Sequence, residues 1–600
     1  MSRSRRAPAR GTPKGPARRA SVLAAAALLL LSSCRSAEEP AAIDGLVEDF
    51  VFSSLAMSPV AATGAGYHVH HGVRLDELLD DMSEQAMERQ RRFYRALQTR
   101  LEAIDPAALT PQQQADYQIL AGQIALALLE LDTIQSYRHN PTVYVELLGT
   151  ALFDCYSRGY APLEERFGHI AARLEKAPAL LAQAKTNLTD SPAIWAKVAR
   201  DELKGVVRLV DTTLREAAPG SVSDDYSAAA EKALAALRDF DLFLKGKLPQ
   251  QQDTWRLGAE RYAQKFRYQL ATGLTPEEVL AAAEKELERV RRQMYRIAVR
   301  LEGGGGNVSG EGGREAVIRR ALERIAARHA TPETYFDEAR RDLEEATGFV
   351  RQHALVPLFG VENLKVIETP EFMRGIYSVG GFNPAPPLET ELGAYYWLTP
   401  IPDDWPPERI ESKLREYNFY GLKLLTIHEA MPGHYVQFQY ADRVTPEPRR
   451  LLRAIWGNGP YIEGWAVYAT EMMLDEGYLD YSDELRLTFL KQALRVLANV
   501  ILDIRLHTKG MTDEEALSLM IRRTFQERQE AEAKLVRAKL SSCQLPTYFV
   551  GWQAWRKLRR RYEKEAGAGF SLAGFHRRAL ETGAVPLPEL ARLLLGRPLD

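Results

Sequence analysis

The sequence predicts a large, mainly α-helical protein with a small β element. The chain of 600 residues is rich in Ala, Leu, Glu and Arg, and few of its runs alternate β-branched with polar residues. Apolar residues recur instead with the period of amphipathic helices, as in 278–301 and 318–327. A chain of this length can bury a large core or fold into two lobes.

Residues 1–33 predict a secretory signal peptide. The first twenty residues carry seven basic groups and no acid, and 22–31 form an apolar run too short to remain as a membrane-spanning helix. Leu31-Ser32-Ser33-Cys34 then looks like a bacterial lipobox, so we expect cleavage before Cys34 and a lipid on that cysteine. The alternative is an ordinary cleaved signal followed by a chance cysteine. Lipidation predicts a protein of the bacterial cell envelope, periplasmic or outer-membrane.

The net charge argues against a nucleic-acid-binding protein, and the cysteine content argues against a disulfide-rich one. Removal of the leader takes away seven basic residues and lowers the net charge from −2 to −9. An acidic mature chain argues against a nucleic-acid partner. No other segment approaches eighteen uninterrupted apolar residues, so the lipid should be the only membrane anchor. Cys155 and Cys543 could pair in an oxidising envelope, but two cysteines do not make a disulfide framework.

We expect residues 34–356 to form a helical N-terminal region. From Ala41 to about Gly303 the chain reads as a succession of helices, with breaks near Asp105-Pro106 and Ala218-Pro219-Gly220. The character of the chain changes at Pro357.

Residues 357–600 form the predicted catalytic region. The runs 364–367 and 393–398 predict two short strands, because they are short, apolar and rich in β-branched or aromatic residues. The segment between them, 377–388, is rich in Gly and Pro and predicts a loop.

Reactive groups concentrate in the run HEAMPGH at residues 428–434. Two imidazoles flank a glutamate, and a zinc hydrolase needs such groups as metal ligands and as a carboxylate base. In the common His-Glu-x-x-His helix the histidines are four residues apart and share one face. His428 and His434 are six residues apart, which is roughly 120° around a regular helix. A continuous helix would therefore aim one of them away from a shared metal.

Pro432 and Gly433 offer a solution to this spacing. Proline interrupts a helix at a cost of about 3 kcal/mol because it lacks an amide donor and clashes with the preceding turn. Glycine tolerates the backbone angles that would return the chain to the metal. We therefore expect an interrupted or bulged helix between His428 and His434. The alternative is a loop that carries two unrelated histidines and a solvated Glu429.

A third ligand is predicted in the segment YIEGWAVYA at 461–469. Glu463 is surrounded there by apolar and aromatic residues, and a buried carboxylate needs a cation or strong hydrogen bonds. Metal ligation meets that need, and a salt bridge with arginine is the ordinary alternative. We expect His428, His434 and Glu463 to hold one Zn²⁺.

These motifs resemble the DUF885 family of bacterial proteins, many of them described as lipoproteins. The specific matches are HEAMPGH at 428–434 and EGWAVYA at 463–469. The family is similar to largely helical zinc peptidases, so the resemblance implies a metallopeptidase-like site on a mostly α scaffold. It is close over roughly the last 230 residues. Weaker matches are Asp503 with His507, Leu545-Pro546-Thr547-Tyr548 with Gly551, and Phe575-His576 with Leu580 and Gly583.

Two positions depart from the pattern of the family. Thr470 stands where a second glutamate is often found, and Asn499 stands where an arginine often precedes the aspartate. The departures leave the contacts around the ligands, and the substrate preference, open.

The predicted reaction is hydrolysis of a peptide bond by zinc-activated water, with Glu429 as the general base. The oxyanion needs a further donor, and Tyr548 and His507 are the candidates. Asp503, four residues before His507 on a predicted helix, would orient that imidazole. The alternative for both candidates is a hydrogen-bonded core residue.

The analogy with helical zinc peptidases also predicts where a peptide substrate binds. A strand beside the metal helix can hydrogen-bond an extended backbone, which places substrate contact at Ala394, Tyr395 and Tyr396. Aromatic core packing is the alternative, and it is the better one for Trp397. Two other functions remain open, a non-catalytic peptide-binding lipoprotein and a zinc hydrolase of another amide or ester. Because Glu429 and all three ligands are present, the enzyme is favoured over the binding protein.

Overall fold

The computed structural model describes residues 42–303, 310–360, 363–374 and 379–599, and they are mainly helical, as predicted. Cys34 and the rest of the predicted leader lie outside the described residues. The helices up to residue 356 are 42–57, Pro59–Gly64, Glu84–Glu102, Pro111–Leu129, Ser136–His139, Thr142–Ser157, Leu163–Asn187, Ala193–Arg208, Leu214–Ala217, Ser223–Gly246, Ala259–Leu270, Pro276–Leu301, Glu311–Ala326 and Tyr335–Gln352.

The C-terminal region is also built of helices, with one small sheet near its start. Its helices are Pro407–Glu416, Phe419–Glu429, His434–Ala441, Glu447–Ile455, Gly459–Asp475, Asp483–Thr508, Asp513–Ser518, Arg528–Leu540, Thr547–Ala566, Leu572–Leu580 and Leu587–Leu595.

Local sequence signals explain where many of these helices begin. At Pro276–Leu301, the Thr275 hydroxyl accepts from the Glu278 amide while the Glu278 carboxylate accepts from the Thr275 amide, and Pro276 occupies the first helical position. This capping box satisfies amide groups that a helix start leaves unpaired. The buried side chains of that helix then follow at spacings of three and four residues, as an amphipathic helix requires: Val279, Ala283, Leu287, Val290, Met294 and Ile297.

The predicted breaks in the N-terminal region are confirmed. Pro106–Ala108 is a single 3₁₀ turn, capped by the Asp105 side chain, between two long helices. The helix Leu214–Ala217 ends just before Pro219, and the next helix begins at Ser223.

The largest hydrophobic core draws on both sides of residue 356. Phe50 and Val290 share it with Trp465 and Trp555. A second core lies within residues 144–248. The elements that carry the predicted ligands are therefore packed against helices from the N-terminal region. Cys155 and Cys543 are both buried and free.

Among the described residues, the helical stretch Pro111–His139 is long and apolar enough to cross a membrane by length and composition. Its Asp116 is 1% exposed and accepts hydrogen bonds from Arg453 Nε at 2.8 Å and Arg449 Nε at 2.6 Å. A buried ion pair with another helix identifies this stretch as part of the folded core.

The small sheet has three strands, in the order Leu364–Glu368, Ala394–Leu398, Gly380–Asn383. The first two are the predicted strands, and they pair in parallel. The third is antiparallel to Ala394–Leu398 and lies in the segment predicted to be a loop, so that prediction is wrong there. Glycine has no strand preference of its own, and pairing imposes the strand. A Cβ on Gly380 would overlap the Trp397 carbonyl oxygen, so the pairing itself needs glycine.

Candidate metal centre and its cavity

The helix carrying His428 is interrupted before His434, as predicted. Phe419–Glu429 ends one residue after His428, and a new helix begins at His434. In the turn between them, the Gly433 amide donates to the Ile427 carbonyl at 3.0 Å. A Cβ on Gly433 would overlap the His428 carbonyl oxygen, so only glycine allows the chain to fold back this closely.

The turn brings both imidazoles to the carboxylate of Glu463, which lies on the helix Gly459–Asp475. Glu463 Oε2 is 3.7 Å from His428 Nε2 and 3.5 Å from His434 Nε2. The two rings are 4.9 Å apart between centroids and nearly perpendicular, at 85°. One donor atom from each residue lies within 4.8 Å of the other two. The three predicted ligands are therefore brought together.

The chemistry of this donor set fits zinc. Ligands about 2.0–2.1 Å from a tetrahedral zinc lie roughly 3.4 Å from one another, close to the 3.7 and 3.5 Å between Glu463 Oε2 and the two imidazoles. Glu463 Oε2 is buried and has no hydrogen-bond partner among the described residues, so an acceptor atom faces the two imidazoles uncompensated. Two neutral imidazoles and one carboxylate also match the ligand set of catalytic zinc sites, which keep the fourth position open.

Trp465 holds the turn in place. It lies on the same helix as Glu463, two residues further on, and its indole N–H donates to the carbonyls of Pro432 and Gly433 at 3.0 and 3.1 Å. One side chain thus couples the turn that orients His434 to the helix that carries the carboxylate ligand. This contact explains why the tryptophan belongs to the glutamate motif.

We expect Trp465→Phe to lower zinc affinity by about 10–100-fold, the usual cost of removing a group that orients a ligand. Competition with a chelator measures it. Trp195→Phe is the control, because the Trp195 indole donates at 2.7 Å to a backbone carbonyl away from the turn, that of Lys539. Equal loss of affinity in both variants would mean that Trp465 acts only through general stability.

A close helix crossing places Tyr548 beside the ligands. Gly464, next to Glu463, packs on Gly551 of the helix Thr547–Ala566, and a Cβ on either glycine would overlap the other helix. Tyr548 is the second residue of that helix, and its ring lies nearly parallel to the His428 ring at 6.3 Å between centroids. Burial and the charge of Glu463 raise the pKa of Tyr548, so its hydroxyl stays protonated.

Glu429 is also part of the site. Its side chain is 8% exposed and lines the same cavity as the three ligands. Burial raises the pKa of Glu429 to about 7, and the nearby Glu463 contributes to the rise. Burial also acts to raise the pKa of Glu463, but the facing imidazoles of His428 and His434 outweigh it and hold that pKa well below its usual value. The two carboxylates therefore have different environments, one suited to moving a proton and one to ligation.

The ligands line a cavity of about 410 Å³. A neighbouring cleft of about 610 Å³, lined by Phe50, Tyr94 and Trp456 among others, shares Ile462, Glu463 and Gln544 with that cavity. Space therefore extends to both sides of the carboxylate ligand. Thr470 and Asn499, where the chain departs from the pattern of the family, both line the cavity with the ligands.

One part of the cavity that was not predicted from the sequence is cationic. Lys534 and Arg537 on the helix Arg528–Leu540, and Arg495 on Asp483–Thr508, line it together with the ligands. The only available signal was the spacing of Lys534 and Arg537, three residues apart on one helix face, which does not show whether that face points inward.

His507 is not brought to the metal centre, which corrects its candidacy as a catalytic residue. Its Nε2 donates to the Ser541 carbonyl at 3.0 Å, and its Nδ1 accepts from the Leu257 amide at 3.4 Å. Asp503 accepts from Tyr262 and Cys543 rather than orienting the imidazole. With both nitrogens used by the backbone, His507 is the hydrogen-bonded core residue that was the alternative.

The substrate-binding role of Ala394, Tyr395 and Tyr396 is also corrected. Their strand is the centre of the sheet, so both of its edges are already paired, and all three residues are buried. The Tyr396 hydroxyl is 3.2 Å from the Thr426 hydroxyl in the core. The strand that faces the cavity is the outer one, Gly380–Asn383, through Gly380, Gly381 and Phe382.

Comparison with known proteins gives a family and a fold. A family model described as a bacterial protein of unknown function, DUF885, matches residues 59–594. A solved protein from Shewanella oneidensis, of unknown function and provisionally described as a lipoprotein, is 29% identical; the match covers 92% of this chain and 99% of that one, with a TM-score of 0.75. A second solved protein, from Colwellia psychrerythraea and provisionally described as a lipoprotein, is 18% identical. The match covers 92% of this chain and 98% of that one, with a TM-score of 0.74. No curated protein matches the sequence.

Proposed function

We infer a function from two premises. The chain belongs to the DUF885 family of bacterial proteins of unknown function, and three side chains that could hold a metal ion converge within the range that the family model matches. We propose that it is a zinc-dependent hydrolase, and that its substrates are peptides. The observation that carries the proposal is the convergence of His428, His434 and Glu463 within 4.8 Å on the wall of a cavity that Glu429 also lines. A structural zinc site would instead be closed by a fourth protein ligand.

Each residue of the site has a separate role in the proposed hydrolysis. His428, His434 and Glu463 would hold the zinc, which when bound lowers the pKa of a water molecule and polarises the carbonyl to be cleaved. Glu429 takes the proton from the attacking water and passes it to the leaving amine. The protonated Tyr548 hydroxyl donates a hydrogen bond to the carbonyl oxygen as negative charge develops there.

The outer strand supports a peptide substrate. In the described sheet, Gly380–Asn383 has one partner strand and lines the cavity beside the ligands. An extended peptide can hydrogen-bond to such an edge as an added strand. Strand addition, which was predicted at the central strand Ala394–Leu398, is therefore proposed at the outer strand Gly380–Asn383.

The function is tested on purified protein by metal analysis and by digestion of a diverse peptide library. We expect one zinc per chain. Peptide cleavage should stop when the zinc is removed and return when it is restored. Zinc-bound protein that binds peptides without cleaving them would contradict the hydrolase. Cleavage of esters or other amides alone would contradict the substrate class and leave the chemistry intact.

We propose that the protein acts in the cell envelope, held by a lipid on Cys34. The resemblance of 31–34 to a lipobox and the provisional description of the two solved relatives as lipoproteins support this. Cys34→Ser is expected to move most of the protein from the membrane fraction to the soluble fraction, because acyl chains are the proposed anchor. Fractionation of cells followed by immunoblotting measures it, and an unchanged membrane fraction would contradict the anchor.

A further inference from the structure

We propose that Lys534, with Arg537 and Arg495 around it, binds the terminal carboxylate of the substrate, so that the enzyme removes residues from the C-terminus of peptides. This inference rests on the proposed function and specifies its substrate class.

The three cations are part of the cavity that holds the ligands. Lys534 and Arg537 are three residues apart on the helix Arg528–Leu540 and therefore share a face, about 4.5 Å apart along the helix axis. Arg495 reaches the same cavity from the helix Asp483–Thr508. The positive charge is thus concentrated on one wall of the cavity.

Lys534 has no compensating partner in the part of the chain that the structure describes. It is 7% exposed, yet no acceptor lies within hydrogen-bonding distance of its ammonium and no carboxylate within 4.0 Å. The other buried lysines are paired: Lys423 donates to Asp342 at 2.6 Å, and Lys413 Nζ lies 3.7 Å from the Glu530 carboxylate. A side chain that is largely withdrawn from water, with an unpaired ammonium on a cavity wall, is costly, so its retention there points to an anionic ligand.

The nearest acid does not meet this need. Glu530 is one turn before Lys534, but its carboxylate is 3.7 Å from Lys413 Nζ and 3.9 Å from Arg495 Nη2. Burial, together with the charges of Arg495 and Arg537, lowers the pKa of Lys534 well below its usual value. A bound carboxylate would offset both effects. Because Glu530 is already shared between two cations, the cavity is poorly suited to the amino terminus of a peptide.

A chain of side chains links the cationic wall to the reacting groups. Arg537 Nη2 donates to Gln544 Oε1 at 3.4 Å, and Gln544 Nε2 donates to the Tyr548 hydroxyl at 3.4 Å. Tyr548 in turn lies beside His428. A terminal carboxylate at Lys534 therefore leaves the preceding peptide bonds near the metal ligands, while the cleft beyond Glu463 gives room for the rest of the substrate.

The test compares two peptides that differ only at the C-terminus, an N-acetylated neutral tetrapeptide as its free acid and as its amide. With the zinc-loaded enzyme, kcat/KM is expected to be about 10²-fold higher for the acid, because a buried charge-assisted contact is lost with the amide. Lys534→Met is expected to remove most of this preference, because cleavage of the acid should fall far more than cleavage of the amide. Lys534→Arg keeps the charge and should keep most of the preference.

Lys539→Met is the matched control. Lys539 lies on the same helix as Lys534, but its ammonium pairs with Asp513 at 2.7 Å outside the cavity, so the preference for the acid should persist. Zinc content and thermal midpoint are measured for all variants, and a Lys534→Met protein that loses its zinc is replaced in the comparison by Lys534→Gln.

The outcomes separate this inference from the proposed function. Equal cleavage of the acid and the amide overturns carboxylate recognition while leaving a zinc peptidase. Preference for an internal Glu or Asp over a neutral residue in amidated peptides would assign the cationic wall to an acidic side chain and overturn C-terminal trimming. If neither peptide is cleaved, the peptide-library digest decides the proposed function, and calorimetric titration of both peptides decides this inference: tighter binding of the acid that Lys534→Met abolishes supports the site, and equal binding overturns it.

Discussion

Replacement of His428, His434 or Glu463 by alanine is expected to remove zinc and hydrolysis together. Three protein ligands are the minimum for a catalytic zinc site, and the three donor atoms here lie within 4.8 Å of one another. The loss in zinc affinity should exceed the about 10–100-fold that removal of a group behind a ligand costs. Metal content after dialysis, measured by mass spectrometry, and turnover on the cleaved peptide are the two readouts.

Glu471→Gln is the control for this series. Glu471 lies on the same helix as Glu463, but its carboxylate accepts from the Trp552 indole at 2.7 Å and pairs with Arg556 at 3.3 Å, away from the ligands. It should keep its zinc. Full zinc occupancy in all three alanine variants would refute the site, and loss in only two of them would assign the third position to another residue.

Glu429→Gln is expected to keep the zinc and lose turnover by about 10²–10⁴-fold. The amide preserves the size of the side chain but can neither accept the proton of the attacking water nor deliver it to the leaving amine. Glu429 is not one of the three converging ligands, and its buried position should tolerate an uncharged side chain. Zinc content, peptide binding and single-turnover rate are measured on the same preparation.

Tyr548→Phe provides a graded comparison with Glu429→Gln. It removes one hydrogen-bond donor to the developing oxyanion, so kcat should fall by about 10²–10³-fold while zinc content and substrate binding change little. His507→Ala should leave the activity of the folded fraction unchanged, because that imidazole is engaged with the backbone outside the cavity.

Near-normal turnover of zinc-loaded Glu429→Gln would place the general base on another residue.

Part of this protein could be predicted from its sequence because the physical signals are local. Helical periodicity, capping residues such as Thr275 and breaks at Pro106 and Pro219 depend on residues a few positions apart, and the helices follow them. The spacing of His428 and His434 required a break, and Pro432 with Gly433 supplied one within the same seven residues. The need of a buried Glu463 for a partner was likewise visible in its apolar surroundings.

The tertiary structure decided what depends on residues far apart in the chain. Gly380 and Gly381 form a strand only because Ala394–Leu398 lies beside them, so the strand that borders the cavity could not be recognised from local preference. His507 and Tyr548 looked alike as candidates, and only the packing of distant segments sends one to the backbone of Ser541 and the other to His428.

The charged face of the helix Arg528–Leu540 shows most clearly which properties are local and which depend on the tertiary structure. The sequence by itself determined that Glu530, Lys534 and Arg537 share one side of a helix. Only the assembled fold determined that this side faces the metal ligands rather than water, because burial is set by the helices that pack around it. Spacing along a helix is fixed by backbone hydrogen bonds within a few residues, whereas the environment of a side chain is fixed by contacts across the whole chain.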